Sequence, residues 1–277
     1  MRLGGPLFEK YETPSQWVSA VRAAGYRAAS CPVGTDASTQ RLEAYAAAAA
    51  REDIVIAEVG AWSNPLSPDQ AERAAAVEKC KASLLLAERI GARCCVNIAG
   101  SRGEKWDGPS ALDLTDETFE MIVETVREII DDVRPKRTFY TLETMPWMYP
   151  DSTDAYLSLL KAIDRPGFAV HFDPVNLICS PQRYFRNGEI IRDFVAKLGA
   201  HIKSCHAKDI LLQGQLTVHL DEVTPGSGQL DYSAFLGELA KLPGDIPVML
   251  EHLPNPEDYA AAADHIRQVG AQVGVAL

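Results

Sequence analysis

The chain has 277 residues, 47% of them hydrophobic and 23% charged, with a formal net charge of -11. This is a globular composition with material for a large core, and the acidic balance argues against a broad nucleic-acid or anionic-membrane surface. No window is apolar for long enough to span a bilayer, and the opening MRLGGPLFEKYE lacks the apolar stretch of a signal peptide. A cytoplasmic protein with no nucleic-acid and no membrane partner is expected.

In chain order, short apolar runs predict strands at 2–5, 26–31, 53–60, 93–100, 138–144, 168–173, 201–207 and 246–252. Their continuous apolar character, rather than strict alternation, suits a parallel sheet covered on both faces. Helical patterns lie between them. AYAAAAA (44–50) reads as a close-packing helix. SPDQ (67–70) offers Ser67 as N-cap, Pro68 at the first helical position and Gln70 closing a capping box, for a helix running to Ile90 and stopping at Gly91. Phe119, Ile122, Val123, Val126, Ile129 and Ile130 form one helical stripe, and Asn255 before Pro256 opens the last helix. The six cysteines show no CxxC pair and no zinc-type spacing, so they read as small buried apolar residues.

Eight strand–helix units without a composition break predict one α/β domain over 1–277, a single (β/α)8 TIM barrel. The weak first two units leave a doubly wound open sheet as the alternative.

In such a barrel, functional residues gather at the C-terminal ends of the strands. Four successive strands end in polar residues: Glu143 in YTLETMPW, Asp173 in HFDPVN, His206 in KSCHAKD and Glu251 in VMLEHLP. Any one of them alone is more simply a cap, a solvated charge or a satisfied core histidine. Together they converge on the barrel axis. Three carboxylates at one point repel one another unless a cation joins them. One divalent metal ion removes the conflict, and a mostly oxygen donor set suits Mn2+ or Mg2+, with Zn2+, Co2+ and Fe2+ also compatible.

LETMPW, HFDPVNL, KSCHAKDI, the loop HLDEVTPGSGQLDY (219–232) and MLEHL, in this order, resemble the sugar phosphate isomerase/epimerase family, the xylose-isomerase-like TIM barrels, across essentially the whole chain. The resemblance implies a divalent metal held by Glu143, Asp173, His206 and Glu251, with Glu143 and Glu251 also available as catalytic acid/base groups. It implies a sugar isomerase or epimerase acting on a keto-sugar or related polyol through a metal-stabilised enediolate. By analogy with the family, the partner is a small-molecule sugar, and association into a homo-oligomer is compatible with the pattern.

Two departures qualify the resemblance. Ketose 3-epimerases of the family typically carry histidine where this chain has Asn176, and an arginine several residues after the histidine ligand; HAKDILLQGQ contains none. Ordinary ketohexose epimerisation is therefore disfavoured, and a lyase or dehydratase acting on inososes or 3-keto-glycosides is the alternative. The related three-metal apurinic endonucleases need further histidines where this chain reads AEVGAW and VNIAG. A non-catalytic sugar-binding barrel is a third reading.

The candidate substrate-binding residues carry competing readings. His171 shares a strand face with Asp173 one layer deeper, as a partner of a ligand or a satisfied interior histidine. Asn176 binds a substrate hydroxyl or shapes a turn. Lys208 neutralises an oxyanion or pairs with Asp209. His219 and Glu222 lie on a long loop that borders the pocket. Trp147, Trp62 and Trp106 follow strands and either stack on a sugar or pack their loops. Arg102 reads as a solvated arginine rather than a phosphate ligand.

Overall fold

The computed structural model describes Met1–Leu277. Strands form at every position the apolar runs predict, β1 (Arg2–Gly4), β2 (Ala28–Ala29), β3 (Val55–Ile56), β4 (Glu58–Gly60), β5 (Cys94–Asn97), β6 (Tyr140–Glu143), β7 (Phe168–Phe172), β8 (Ile202–Ala207) and β11 (Pro247–Leu250), and at two further places, β9 (Asp209–Leu212) and β10 (Leu220–Val223). The helices are α1 (Pro14–Ala23), α2 (Thr39–Arg51), α3 (Gln70–Ile90), α4 (Asp116–Val133), α5 (Thr153–Ile163), α6 (Pro181–Tyr184), α7 (Asn187–Leu198), α8 (Tyr232–Leu239) and α9 (Pro256–Gln272).

The main sheet runs β3-β2-β1-β11-β8-β7-β6-β5-β4, with every pairing parallel. Its two outer members are halves of one stave. Ala57 lies between them; its amide donates to Ala29 O at 2.8 Å and its carbonyl accepts from Cys94 N at 3.2 Å. Hydrogen bonding thus passes from β2 on one side to β5 on the other, and the sheet closes as a single TIM barrel. The open-sheet alternative is excluded. One continuous apolar cluster fills the space between staves and helices, including Trp17, Tyr45, Tyr140, Phe172, Phe194 and Phe235.

The helices start and stop for local reasons. Asn255 caps α9 by accepting from Asp258 N at 2.9 Å, as its position before Pro256 implies. Gly91 ends α3 at φ 78°, in the left-handed region. The start of α3 corrects the sequence reading: its N-cap is Asp69, not Ser67. Asp69 Oδ1 accepts from both Ala71 N and Glu72 N at 2.9 Å, while the Ser67 hydroxyl donates to Glu72 Oε2 at 2.6 Å. An ionised carboxylate at a helix start accepts two amides and sits at the positive end of the dipole, which a hydroxyl matches less well. Cys179 is exposed and Cys31 half-buried, so only four of the six cysteines occupy buried apolar positions.

Two irregularities shape the barrel mouth. Between β7 and β8 the register advances from Val170–Ile202 to His171–Ser204, leaving Lys203 as an extra residue. Such a bulge re-aims the side chains beyond it, here Ser204 and His206. The loop after β8 also folds into an antiparallel hairpin, β9–β10, which no apolar run announced.

Candidate metal and active site

Glu143 ends β6, Asp173 follows β7, His206 lies near the end of β8 and Glu251 follows β11. All four therefore stand at the C-terminal end of four adjacent staves, and their ligating atoms lie within 4.8 Å of one another. His206 Nδ1 is 3.0 Å from Glu143 Oε1 and 3.0 Å from Glu251 Oε1, with Asp173 Oδ2 at 3.9 Å. Glu143, Asp173 and His206 are buried, and Glu251 is partly open to the mouth.

Hydrogen bonds from neighbouring groups aim two of the three carboxylates. Asp173 Oδ1 accepts from Val175 N at 2.9 Å and Asn176 N at 3.2 Å, which closes the tight turn after the strand and leaves Oδ2 facing the cluster. Thr144 locks the same strand end, donating to Asp173 O at 2.7 Å and accepting from Asp173 N at 3.1 Å. Asn176 Nδ2 donates to Glu143 Oε1 at 3.1 Å.

Lys208 is the cation among these groups. Its buried ammonium lies 2.7 Å from Asp173 Oδ2 and 2.8 Å from Glu251 Oε1, and it donates to Asn176 Oδ1 at 3.3 Å. It does not pair with Asp209, whose carboxylate instead accepts four amides, from Ile210, Gly226, Gly228 and Leu230. The contacts of Lys208 with Asp173 Oδ2 and Glu251 Oε1 are ionic, off the line of a directed bond, so both oxygens remain without a hydrogen-bond donor. One ammonium shared between two buried carboxylates offsets a single charge, and a buried anionic oxygen without a donor is costly. Two such oxygens aimed at one point, beside a glutamate and an imidazole nitrogen, fit a divalent metal that favours oxygen ligands.

The protonation balance points the same way. Burial and the repulsion of Glu251 push the Glu143 carboxyl up, against the pull of His206 and Lys208. For Glu251, burial is outweighed by His206 and Lys208, and its carboxyl is held well below the usual range. Burial opposes the charge of His206, but Glu251, Glu143 and Glu58 hold its pKa well above that of a free histidine. The carboxylates compete for the charge of His206 and Lys208, and Glu143 is the one driven toward its protonated form.

The sequence profile described as xylose isomerase-like TIM barrel matches residues 18–269. The chain belongs to this family. Among solved structures, one described as L-ribulose 3-epimerase is 16% identical at a TM-score of 0.71, covering 99% of this chain and 94% of its own. A probable 3-DHS dehydratase involved in petrobactin synthesis, from Bacillus anthracis, is 17% identical at a TM-score of 0.67, covering 94% of each chain. A xylose isomerase-like TIM barrel protein from Mycobacterium smegmatis, in complex with magnesium, is 16% identical at a TM-score of 0.67, covering 95% and 90%. At these identities the likeness establishes the fold. No curated protein matches the sequence.

Within this xylose isomerase-like barrel, a cavity of about 650 Å³ opens above the cluster, lined by Glu143, His206, Lys208, Glu251 and Asn176, and walled by Trp62, Trp106 and Trp147. All three tryptophans that the sequence singled out after strands thus stand at this cavity. Glu222 also reaches the cavity, 3.2 Å from His252 Nδ1. His219 does not: it is exposed on the β9–β10 hairpin, where its carbonyl accepts from Gln213 N. The hairpin lifts it away, a consequence of pairing the sequence did not reveal. Arg102 turns outward to Glu117 Oε2 at 2.8 Å.

His171 lies one layer below the cluster, as its place on the strand implied, and not among the groups that face the cavity. It is fully buried and touches no part of the cavity; its Nε2 lies 2.9 Å from Glu58 Oε1. Glu58 is the residue that the sequence reading missed. It accepts from the Ser204 hydroxyl and lies 3.4 Å from His206 Nε2 through its other oxygen. Burial alone would raise its pKa, but His171 and His206 hold it well below the carboxylate range. The signal was a lone glutamate inside the apolar run DIVIAEVG. His252, at φ 60°, is the other addition, a non-glycine residue held in the left-handed region beside Glu251.

Proposed function

We propose that the protein is a divalent-metal-dependent enzyme that moves a proton on the carbon beside the carbonyl of a keto-sugar or related polyol, as an epimerase or isomerase. The observation that carries this reading is the convergence of Glu143, Asp173, His206 and Glu251 under one aromatic-walled cavity. A divalent ion held by these four residues, Mn2+ or Mg2+ by the hardness of the donors, would polarise the substrate carbonyl and stabilise the charge of an enediolate.

The chain's own groups supply the rest. Glu143 and Glu251 come from staves separated by β7 and β8, so their carboxylates flank the space above the cluster from two sides. One removes the proton and the other returns it: to the same carbon for epimerisation, to its neighbour for isomerisation. Asn176 fixes the Glu143 carboxylate, and Lys208 supplies positive charge at the cavity floor. Trp62 and Trp147 stand over the site and limit access of water.

A lyase using the same proton removal is the second reading. Elimination needs a leaving group beyond the acidic carbon, and the cavity volume leaves room for one.

The test is deuterium incorporation from deuterated water into a panel of keto-sugars and inososes by Mn2+-loaded protein. Exchange into an intact carbon skeleton supports the epimerase or isomerase, and loss of water or aglycone supports the lyase. Glu251→Gln should abolish either reaction while leaving the circular dichroism unchanged. Full activity in that variant removes Glu251 from the chemistry.

A further inference from the structure

We infer that Lys208 sets the metal affinity of the site: its buried ammonium shares two ligand oxygens with the ion, holding them together beforehand and weakening the grip on the ion afterwards. This rests on the metal-centre reading above and specifies how tightly, and for which ion charge, that centre binds.

The sequence places the charge. Lys208 follows β8 two residues after His206, so the pleat returns its side chain to the barrel interior one step nearer the mouth. The backbone around it is anchored: Lys208 O accepts from the Tyr232 hydroxyl at 2.8 Å, and the carboxylate of Asp209 holds four amides. The side chain is 2% exposed, a burial that lysine tolerates only when paired. A fixed junction and a buried stem keep the ammonium beside the cluster.

What it touches is the ligand set itself. Nζ lies 2.7 Å from Asp173 Oδ2, 2.8 Å from Glu251 Oε1 and 3.9 Å from Glu143 Oε1. The ligating atoms of Glu143, Asp173, His206 and Glu251 lie within 4.8 Å of one another, so the ammonium borders the same small volume. Its directed hydrogen bond goes elsewhere, to Asn176 Oδ1 at 3.3 Å. Asp173 Oδ2 and Glu251 Oε1 keep their lone pairs while Lys208 offsets their charge. Lysine and ion therefore share these oxygens at one time, and the ammonium need not leave for an ion to bind.

Sharing has two opposite effects on affinity. The ammonium holds two mutually repelling carboxylates close, which spares an incoming ion the entropy of ordering them. It also repels that ion across a buried site, where neither water nor salt screens the pair well. The repulsion is the larger effect. A unit charge and a double charge at neighbouring buried positions repel by more than the rotamer entropy of two side chains. Repulsion also grows in proportion to the charge of the ion, whereas the ordering effect does not. The other basic groups of the mouth are screened by solvent: His252 is exposed 3.6 Å from Glu251 Oε2, and Lys105 is exposed and paired with Asp107.

The experiment titrates the full-length protein, stripped with EDTA, with Mn2+ by calorimetry and with Tb3+ by luminescence sensitised by the tryptophans of the cavity. Lys208→Met and Lys208→Gln are compared with the wild type; glutamine removes the charge and keeps a donor for the carboxylates. Both variants are expected to bind Mn2+ at least about tenfold more tightly, and Tb3+ to gain more, about thirtyfold where Mn2+ gains tenfold. Urea midpoints separate this from a packing defect. Both variants should fall below the wild type in EDTA and draw level with it or pass it in saturating Mn2+. Unchanged or weaker Mn2+ binding in both variants, equal gains for Mn2+ and Tb3+, or the same loss of stability with and without Mn2+ would each overturn the inference alone. No Mn2+ uptake by the wild type or either variant would remove the metal reading, and this inference with it.

Discussion

Glu58 receives His171 Nε2 and the Ser204 hydroxyl on one oxygen and faces His206 Nε2 with the other, so that His206 presents Nδ1 to Glu143 and Glu251. A histidine that ligates through one nitrogen is oriented by what holds the other. Glu58→Gln leaves one acceptor oxygen for three donors, and the loss falls on ring orientation. Mn2+ affinity is expected to drop roughly 10–100-fold with the fold retained, as measured by calorimetry beside circular dichroism. Unchanged affinity would mean that His206 is held by packing alone. The four cluster residues were legible because each interrupts an apolar run at its end, where a barrel gathers its chemistry. Glu58 was not, because its relevance depends on contacts with residues 113 and 148 positions away, His171 and His206. Periodicity carries no such information.

At the scale of elements, the loop from β9 to α8 hangs on Asp209. Its carboxylate accepts Ile210 N and Leu230 N at 2.8 Å through one oxygen, and Gly226 N at 2.9 Å and Gly228 N at 3.0 Å through the other. Amides held by a buried carboxylate lose their partner outright when it is removed. Asp209→Ala is expected to destabilise the protein by roughly 3 kcal/mol in urea, with amide exchange accelerated across 209–230; Asp209→Asn, which keeps one oxygen, should lose about half as much. Exchange no faster than wild type in that segment would show the hairpin to be self-supporting. The contrast with the helices is physical. The α4 stripe and the Asn255 cap are written in consecutive residues, and both formed as read. The β9–β10 hairpin is tied down by amides up to 21 positions from Asp209, those of Gly226, Gly228 and Leu230, and the split stave at Ala57 depends on closure of the whole ring. Neither is a local signal.

For the whole molecule, closure is also clamped at the end opposite the cluster. Arg2, at the start of β1, reaches Asp245 Oδ2 at 2.6 Å, ahead of β11, and Asp53 Oδ1 at 2.7 Å, ahead of β3; Arg27 joins Asp53 at 2.5 Å. Hydrogen bonds from Arg27 and Arg2 lower the Asp53 carboxyl, and the bond from Arg2 lowers that of Asp245. Groups whose folded pKa is depressed contribute stability that is present above the unfolded value, near about 3.9, and is lost as pH falls through the folded values. Urea midpoints should therefore decline below about pH 4 more shallowly in Asp245→Asn than in the wild type. At pH 7 that variant should lose under about 1 kcal/mol, because the Asp245 carboxylate is exposed and the buried Arg2 keeps Asp53. Parallel acid profiles for the two proteins would place the acid-sensitive groups elsewhere. The clamp and the cluster occupy opposite faces of one cylinder, which divides stability from chemistry as barrels of this kind do. The claim beneath the chemistry is that Glu143, Asp173, His206 and Glu251 hold one divalent ion. It is tested most directly by calorimetric titration of the protein and of Asp173→Asn with Mn2+. Asparagine keeps the oxygen that accepts from Val175 N and removes only the charge facing the cluster. The expected result is one Mn2+ per wild-type chain and uptake at least tenfold weaker in the variant; no uptake by the wild type, or equal uptake by both, contradicts it.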